Sequence, residues 1–347
     1  MKIINKDDHL QHDPQFFVVR GRLKRSNEQP ARGEILLAAA REAGHSIVAP
    51  REHGLAPIEA IHTRRYLDFL STVHPRWQML EDAGEEVVAN IHPFPGEPCT
   101  YPRHLVGQVG FHLGDMACPI GMHTWKAAYG SAQCAIEAAQ LLLEGERAVY
   151  ALCRPPGHHA YAERANGFCY LNNAAIAAQY LRSRHSRVAI LDIDVHHGNG
   201  TQGLFYSRSD VLTISLHADP HHMTPFFTGH ADERGSGEGL GFNVNYPLPK
   251  GLPTEGYLEV LLDACRRIVD YAPGALVVSL GLDTYEHDPY QGVAVSTAGF
   301  ADIGAAIARL GLPTALIQEG GYLSDALGDN LARVLEGFER GSAGARP

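Results

Sequence analysis

At 347 residues the chain is long enough to bury a large core, as one big α/β domain or two smaller ones. Hydrophobic content of 45% and charged content of 20% are ordinary for a soluble globular protein, and no apolar stretch approaches the roughly 18–20 residues that span a bilayer. A formal net charge of −10 disfavours nonspecific nucleic-acid binding, which needs a basic face, and would suit a cationic substrate.

In chain order, the opening MKIINKDDHL turns polar at once and leaves no room for a signal-peptide core, so the cytoplasm is the expected compartment. Residues 13–30 read as an irregular early loop. Helical patterns follow at 32–43 and 58–73. The stretch 75–123 holds Pro93, Pro95, Pro98, Pro102 and Pro119, and so long an irregular insertion is expected to be functional or an interface. An Ala-rich helix spans 124–143. Beyond it, short apolar runs rich in branched residues occupy 148–152, 188–191, 211–216, 275–280 and 314–317. Runs that are apolar on both faces suit central strands of a covered parallel sheet. Helical patterns at 173–183, 255–271, 297–310 and 326–340 alternate with them, which predicts βαβ units. The expected organisation is a single domain over 1–347 with two elaborate loops. The six cysteines are scattered, and no two lie two residues apart. That argues against a thiolate zinc finger or a disulfide scaffold, and for reduced, mostly buried thiols.

The polar clusters are informative by position. Run 148–152 leads into Arg154-Pro155-Pro156-Gly157-His158-His159, and run 188–191 into Asp192-Ile193-Asp194-Val195-His196-His197-Gly198-Asn199-Gly200. Run 211–216 ends in His217, run 275–280 in Gly281-Leu282-Asp283, and run 314–317 leads to Glu319-Gly320-Gly321-Tyr322. In open α/β sheets ligands bind beyond the carboxyl ends of the strands, so five such ends mark one expected crevice. In extended chain, residues two apart share a face, so Asp192, Asp194 and His196 point the same way. Asp194 and His196 can reach one ion, and Asp283 can supply a third ligand. Two oxygens and one nitrogen suit zinc or ferrous iron and leave a coordination position for water. Asp192 then lies too deep to ligate and would back a neighbour. His158 and His159, aimed by the Pro-Pro-Gly turn, are the expected acid–base pair. Tyr322 could donate a hydrogen bond to an oxyanion. Each feature alone has an ordinary reading as a cap, a turn or a surface pair; together, at five strand ends, coincidence is improbable.

The motifs RPPGHH, GFCYLNNAAIAA (167–178), LDIDVHHGNG, SLGLDTYEHDP and EGGY, in this order, resemble the arginase/deacetylase superfamily, and within it the bacterial acetylpolyamine amidohydrolases. The resemblance covers nearly the whole chain. It implies a three-layer α/β/α sandwich around a mainly parallel eight-stranded sheet, and a deacetylase acting on small N-acetylated amines such as acetylputrescine and acetylcadaverine. A peptide acetyl-lysine deacetylase, or an amidohydrolase acting on another small amide, is the alternative. By resemblance, Asp194, His196 and Asp283 hold Zn2+ (Fe2+ suits the same donors). His159 is the general base, His158 is its partner backed by Asp192, and Asn199 lies beside His159. Tyr322 polarises the carbonyl. Phe168 and Phe227, with Gly167 and Gly320, would contact the substrate. A structural potassium would involve Asp192, Ser215 and Leu216. The 75–123 insertion implies a homodimer. Two departures stand out. Asn199 occupies the place where eukaryotic-type members resemble HHGDG, and Phe17 and Val106 stand where polyamine-directed members carry acids.

Overall fold

The computed structural model describes residues 1–96 and 98–344; residue 97 of the insertion and the last three residues of the expected 1–347 domain lie outside the described residues. The first half contains β1 (Lys2–Ile4), β2 (Phe16–Val19), β3 (Arg22–Arg25), α1 (Pro30–Glu42), β4 (Ser46–Val48), α2 (Ala56–Glu59), α3 (Arg64–Trp77), α4 (Leu105–His112) and α5 (Thr124–Leu143). It continues through β5 (Ala148–Ala151), α6 (Asn173–Leu181), β6 (Val188–Asp192), α7 (Asn199–Phe205) and β7 (Val211–Ala218). β8 (Asn243–Leu248), α8 (Thr254–Tyr271), β9 (Ala275–Leu280), α9 (Thr297–Ala308), β10 (Thr314–Gln318) and α10 (Leu327–Gly344) complete the order.

Eight strands form one sheet in the order β4-β1-β5-β10-β9-β6-β7-β8, with every pairing parallel. Its strands are buried on both sides because successive residues feed two different cores. Val188, Ile190, Val277 and Ile317 face the layer made by α3, α5 and α6. Ala189, Leu191, Leu276, Val278 and Leu316 face α1, α8, α9 and α10. The α/β/α expectation holds in full. The buried strand runs from 148 onward fall where sequence pattern placed them.

Three strands of the sheet escaped that pattern. β1 and β4 are three residues each, and β8 contains Pro247, which an edge strand paired on one side tolerates. The early loop is also more ordered than expected. β2 and β3 pair antiparallel across a two-residue turn in which Arg20 and Gly21 both have positive φ (50° and 71°), the conformation a tight hairpin requires. Five cysteines are buried and Cys99 is exposed, all as free thiols. Among the described residues no helix is long and apolar enough to cross a membrane.

Helix α6 is fixed at its start by Asn172, whose side chain accepts from the Ala175 N–H at 2.9 Å and donates to the Ala160 carbonyl at 3.1 Å. The Asn172 N–H in turn donates to His62 Nε2 at 2.9 Å. That bond keeps His62 neutral, and burial pushes its pKa down to about 4. Burial, helped by the Arg154 charge, pushes His9 down to about 4 as well. In the unfolded chain both titrate near 6.5, so the unfolded state binds more protons below that pH. Their contribution is complete above about pH 6.5 and is lost as pH falls towards 4, at about 2.7 kcal/mol per pH unit for the pair where the slope is steepest. Denaturant unfolding between pH 6.5 and 4.5 should show this fall, and His62→Gln should flatten it by about 1.4 kcal/mol per unit. An unchanged slope in the variant would refute the assignment to His62.

Candidate metal and hydrolytic site

The strand order places the carboxyl ends of β5, β10, β9, β6 and β7 side by side, and the predicted polar clusters meet there. Beyond β6 the chain stays extended, with its own carboxylates holding its own N–H groups. Asp192 Oδ1 accepts from Asp194 N (3.1 Å), and Asp194 Oδ1 accepts from His196 N (2.9 Å). Asp283, after β9, reaches across so that its Oδ1 accepts from Val195 N at 2.9 Å. The close approach depends on glycine at two places. A Cβ on Gly281 would lie 2.4 Å from Asp194 Cα, and one on Gly320 would lie 2.2 Å from Asp283 Oδ2.

Asp194, His196 and Asp283 are all buried, with ligand atoms within 4.8 Å of one another. His196 Nδ1 lies 3.1 Å from Asp194 Oδ1 and 3.2 Å from Asp283 Oδ2, and that second oxygen has no hydrogen-bond partner. Burial disfavours an imidazolium, yet hydrogen bonds and charge from the two aspartates raise His196 to about 9. Burial and the neighbouring Asp194 charge raise Asp283 to about 6. Two buried carboxylates and an imidazole thus compete for positive charge, with one oxygen left orphaned. A divalent cation satisfies that set, so the donors fit zinc.

A second buried trio, His158, Cys169 and Glu319, has the same spacing, but one of its ring nitrogens and one of its carboxylate oxygens are already engaged, leaving Glu319 Oε1 unpartnered. His158 Nδ1 lies 3.0 Å from Asp192 Oδ2, Glu319 Oε2 accepts two backbone N–H groups, and burial pushes the Cys169 thiol well up. Its geometry reads as packing beneath Asp194, His196 and Asp283.

The two histidines after β5 are driven in opposite directions. His158 is raised because charge from Asp194 and Asp192 outweighs the burial that opposes it. His159 is lowered by burial first, then by the positive charge of His158 and His196. Their rings are 4.0 Å apart, and His159 is 5.9 Å from His196. Asn199 opens α7, and its Oδ1 accepts from Gly200 N (3.1 Å) and lies 2.7 Å from His159 Nδ1. The oxygen is therefore the atom facing the ring, so Nδ1 carries the proton and Nε2 is left as the basic atom. One imidazole is held charged and the other neutral, a pairing that separates acid from base.

Tyr322 is held from behind by residues that sequence reasoning passed over. Its N–H donates to Asp288 Oδ2 at 2.9 Å, and the Arg32 guanidinium stands 4.8 Å over its ring. Arg32 also donates to the carbonyls of Gly321 (2.6 Å) and Glu319 (2.8 Å), and to Glu28 Oε1 (2.5 Å). A lone Arg in the first turn of α1 reads as solvent-facing, yet Arg32 is 1% exposed. Phe168 packs edge-on against Tyr322 (5.9 Å) and Phe17 (5.6 Å), and Tyr290 stands 5.0 Å from Tyr322 and 4.7 Å from His196. The aromatic wall is thus Phe17, Phe168 and Tyr290. Gly167 lies against His159, where a Cβ would be 2.5 Å from its ring. Phe227 is 89% exposed and does not join that cluster. Gly320 donates its N–H to Asp194 Oδ2 at 2.8 Å, which places it against the Asp194 and Asp283 carboxylates. Ser215, paired with Asp192 across β6 and β7, lies 2.7 Å from His217 Nδ1. Gly320→Ala should weaken zinc binding by about ten- to a hundredfold by displacing Asp283 and Asp194. Chelator competition checks this, and wild-type affinity in the variant would refute the metal assignment.

Residues 26–338 match the histone deacetylase domain family. The chain is 50% identical over 332 residues to an acetylpolyamine amidohydrolase of Burkholderia pseudomallei, covering 95% of this chain and 96% of that one. It is 40% identical over 339 residues to an acetylpolyamine amidohydrolase of Mycoplana ramosa, covering 97% and 99%. A crystal structure of an acetylpolyamine aminohydrolase from Burkholderia pseudomallei superposes with a TM-score of 0.95 at 48% identity, covering 98% of this chain and 99% of that one. Motif order, sheet topology and these likenesses agree: the chain belongs to the histone deacetylase family of amidohydrolases.

Proposed function

We propose that the protein is a zinc-dependent deacetylase of small N-acetylated amines, acetylputrescine and acetylcadaverine among them, folded as one domain and acting in the cytoplasm. The observation that carries this reading is the buried Asp194–His196–Asp283 trio beside a histidine pair tuned in opposite directions. A bound zinc would polarise the acetyl carbonyl and make water acidic enough to be deprotonated near neutral pH. Ferrous iron would suit the same donors. His159 Nε2 takes a proton from the attacking water, its ring held by the Nδ1–H bond to Asn199, and later returns it to the departing amine nitrogen. His158, charged against Asp192, supplies positive potential beside the developing oxyanion. Tyr322 donates its hydroxyl hydrogen bond to that oxygen. Phe168 and Tyr290 flank an unbranched amine arm, with Phe227 at the mouth. Potassium held by Asp192, Ser215 and the Leu216 carbonyl would stiffen the ends of β6 and β7 without entering the reaction.

The homodimer is part of the same reading. The 75–123 insertion exposes Met79, Ile91, Phe94 and Met122, an apolar load that a second copy would cover. The names of the similar proteins support the polyamine substrate. The test is acetate release from acetylputrescine, acetylcadaverine and acetyl-lysine peptides, with zinc-loaded wild type beside Tyr322→Phe. Small amines should be cleaved fastest, and the variant should lose about 10²-fold in kcat. Cleavage of peptides alone would replace the substrate assignment, and a fully active variant would remove Tyr322 from the mechanism.

A further inference from the structure

β10 delivers one side chain for which this hydrolytic scheme has no use. Glu319 follows the last residue of the strand and is fully buried. Its carboxylate crosses beneath the metal ligands to the segment after β5. There Oε2 accepts from Gly157 N at 2.6 Å and from His158 N at 3.0 Å, while Oε1 has no hydrogen-bond partner. Burial pushes the group up to about 7, and the charge of His158 opposes that rise. A half-satisfied carboxyl in a dry interior is expensive to keep, unless the bonds it does make are needed.

Those bonds grip the stretch that carries the proton-transfer pair. On the opposite side Gly157 is wedged against the start of α6, where a Cβ would lie 2.4 Å from Asn173 N and 2.7 Å from Leu171 O. The Gly157–His158 backbone is therefore clamped between α6 and Glu319. Removing the clamp would leave two peptide hydrogens without an acceptor and free both rings to shift. Misplacement of catalytic groups by about 1 Å costs on the order of 10²-fold in rate.

We propose that Glu319 is a positioning residue for amide hydrolysis: by accepting the Gly157 and His158 peptide hydrogens it sets where His158 and His159 stand relative to Asp194, His196 and Asp283. This rests on the proposed role of His159 as the base. The useful feature is an acceptor oxygen at a fixed reach. Glutamine keeps that oxygen and replaces only the unpartnered Oε1 with nitrogen. Aspartate keeps the charge but withdraws it by one methylene, and alanine removes both.

The experiment compares Glu319→Gln, Glu319→Asp and Glu319→Ala in the zinc-loaded protein. It measures kcat and KM on acetylputrescine, zinc content, and hydrogen exchange of peptides spanning 154–160. The aspartate and alanine variants should lose about 10²-fold in kcat, with KM within about threefold, one zinc retained and 154–160 exchanging faster. The glutamine variant should stay within about fivefold of wild type in kcat and keep slow exchange. Wild-type kcat in the alanine variant would overturn the proposal, as would a folded, metal-loaded glutamine variant that falls as far as alanine. If wild type cleaves no acetylated amine, the deacetylase reading fails, and the exchange data still decide the positioning role. Unchanged exchange in the aspartate and alanine variants would then refute it.

Discussion

The site is organised by a concentration of buried negative charge at one edge of the sheet. Asp192, Asp194, Asp283, Asp288 and Glu319 are all within 2% of full burial, gathered at the ends of β6, β9 and β10. A folded chain tolerates this only if each oxygen finds a donor or a cation. Backbone N–H groups take several: those of Asp194, Val195, His196, Gly320 and Tyr322 all donate to these carboxylates. Two imidazoles take part of the remainder. What is still unbalanced is the facing pair Asp194 and Asp283, where Asp283 Oδ2 is unpartnered, and Glu319, whose Oε1 is unpartnered as well. The raised His158 and the tight glycine-bearing turns accompany that imbalance, and a divalent cation among Asp194, His196 and Asp283 would relieve it.

The same field explains why adjacent histidines differ. His158 is beside carboxylates, whereas His159 has the neutral Asn199 on its inner nitrogen and the positive ring of His158 nearby. A carboxylate at 199 would pull His159 upward by charge. The amide fixes the ring without adding charge and leaves the imidazole neutral, as the proposed role of base requires. Behind Tyr322, Arg32 performs a comparable service through three hydrogen bonds and its position over the ring.

Much of this was legible in the sequence, because it depends on local rules. Double-sided apolar runs declared the central strands, the two-residue period of extended chain aligned Asp192, Asp194 and His196, and the strand-end rule gathered Asp283 and Tyr322 with them. What was missed depends on distant contacts. β1 and β4 are too short to show a period, and β8 carries a proline. Arg32 and Asp288 look like ordinary surface polar residues until the fold brings the 319–322 turn to them. Glu319 stood inside a recognised motif, yet only the folded path of Gly157 and His158 gives its carboxylate a task. The wall facing Phe168 likewise comes from Tyr290 and Phe17, which neither period nor spacing singles out.

Anomalous scattering at the zinc absorption edge, from crystals grown with equimolar zinc, tests the central claim most directly. The expected result is one strong peak bounded by Asp194, His196 and Asp283. A peak among His158, Cys169 and Glu319, or no bound zinc at either place, would contradict the account.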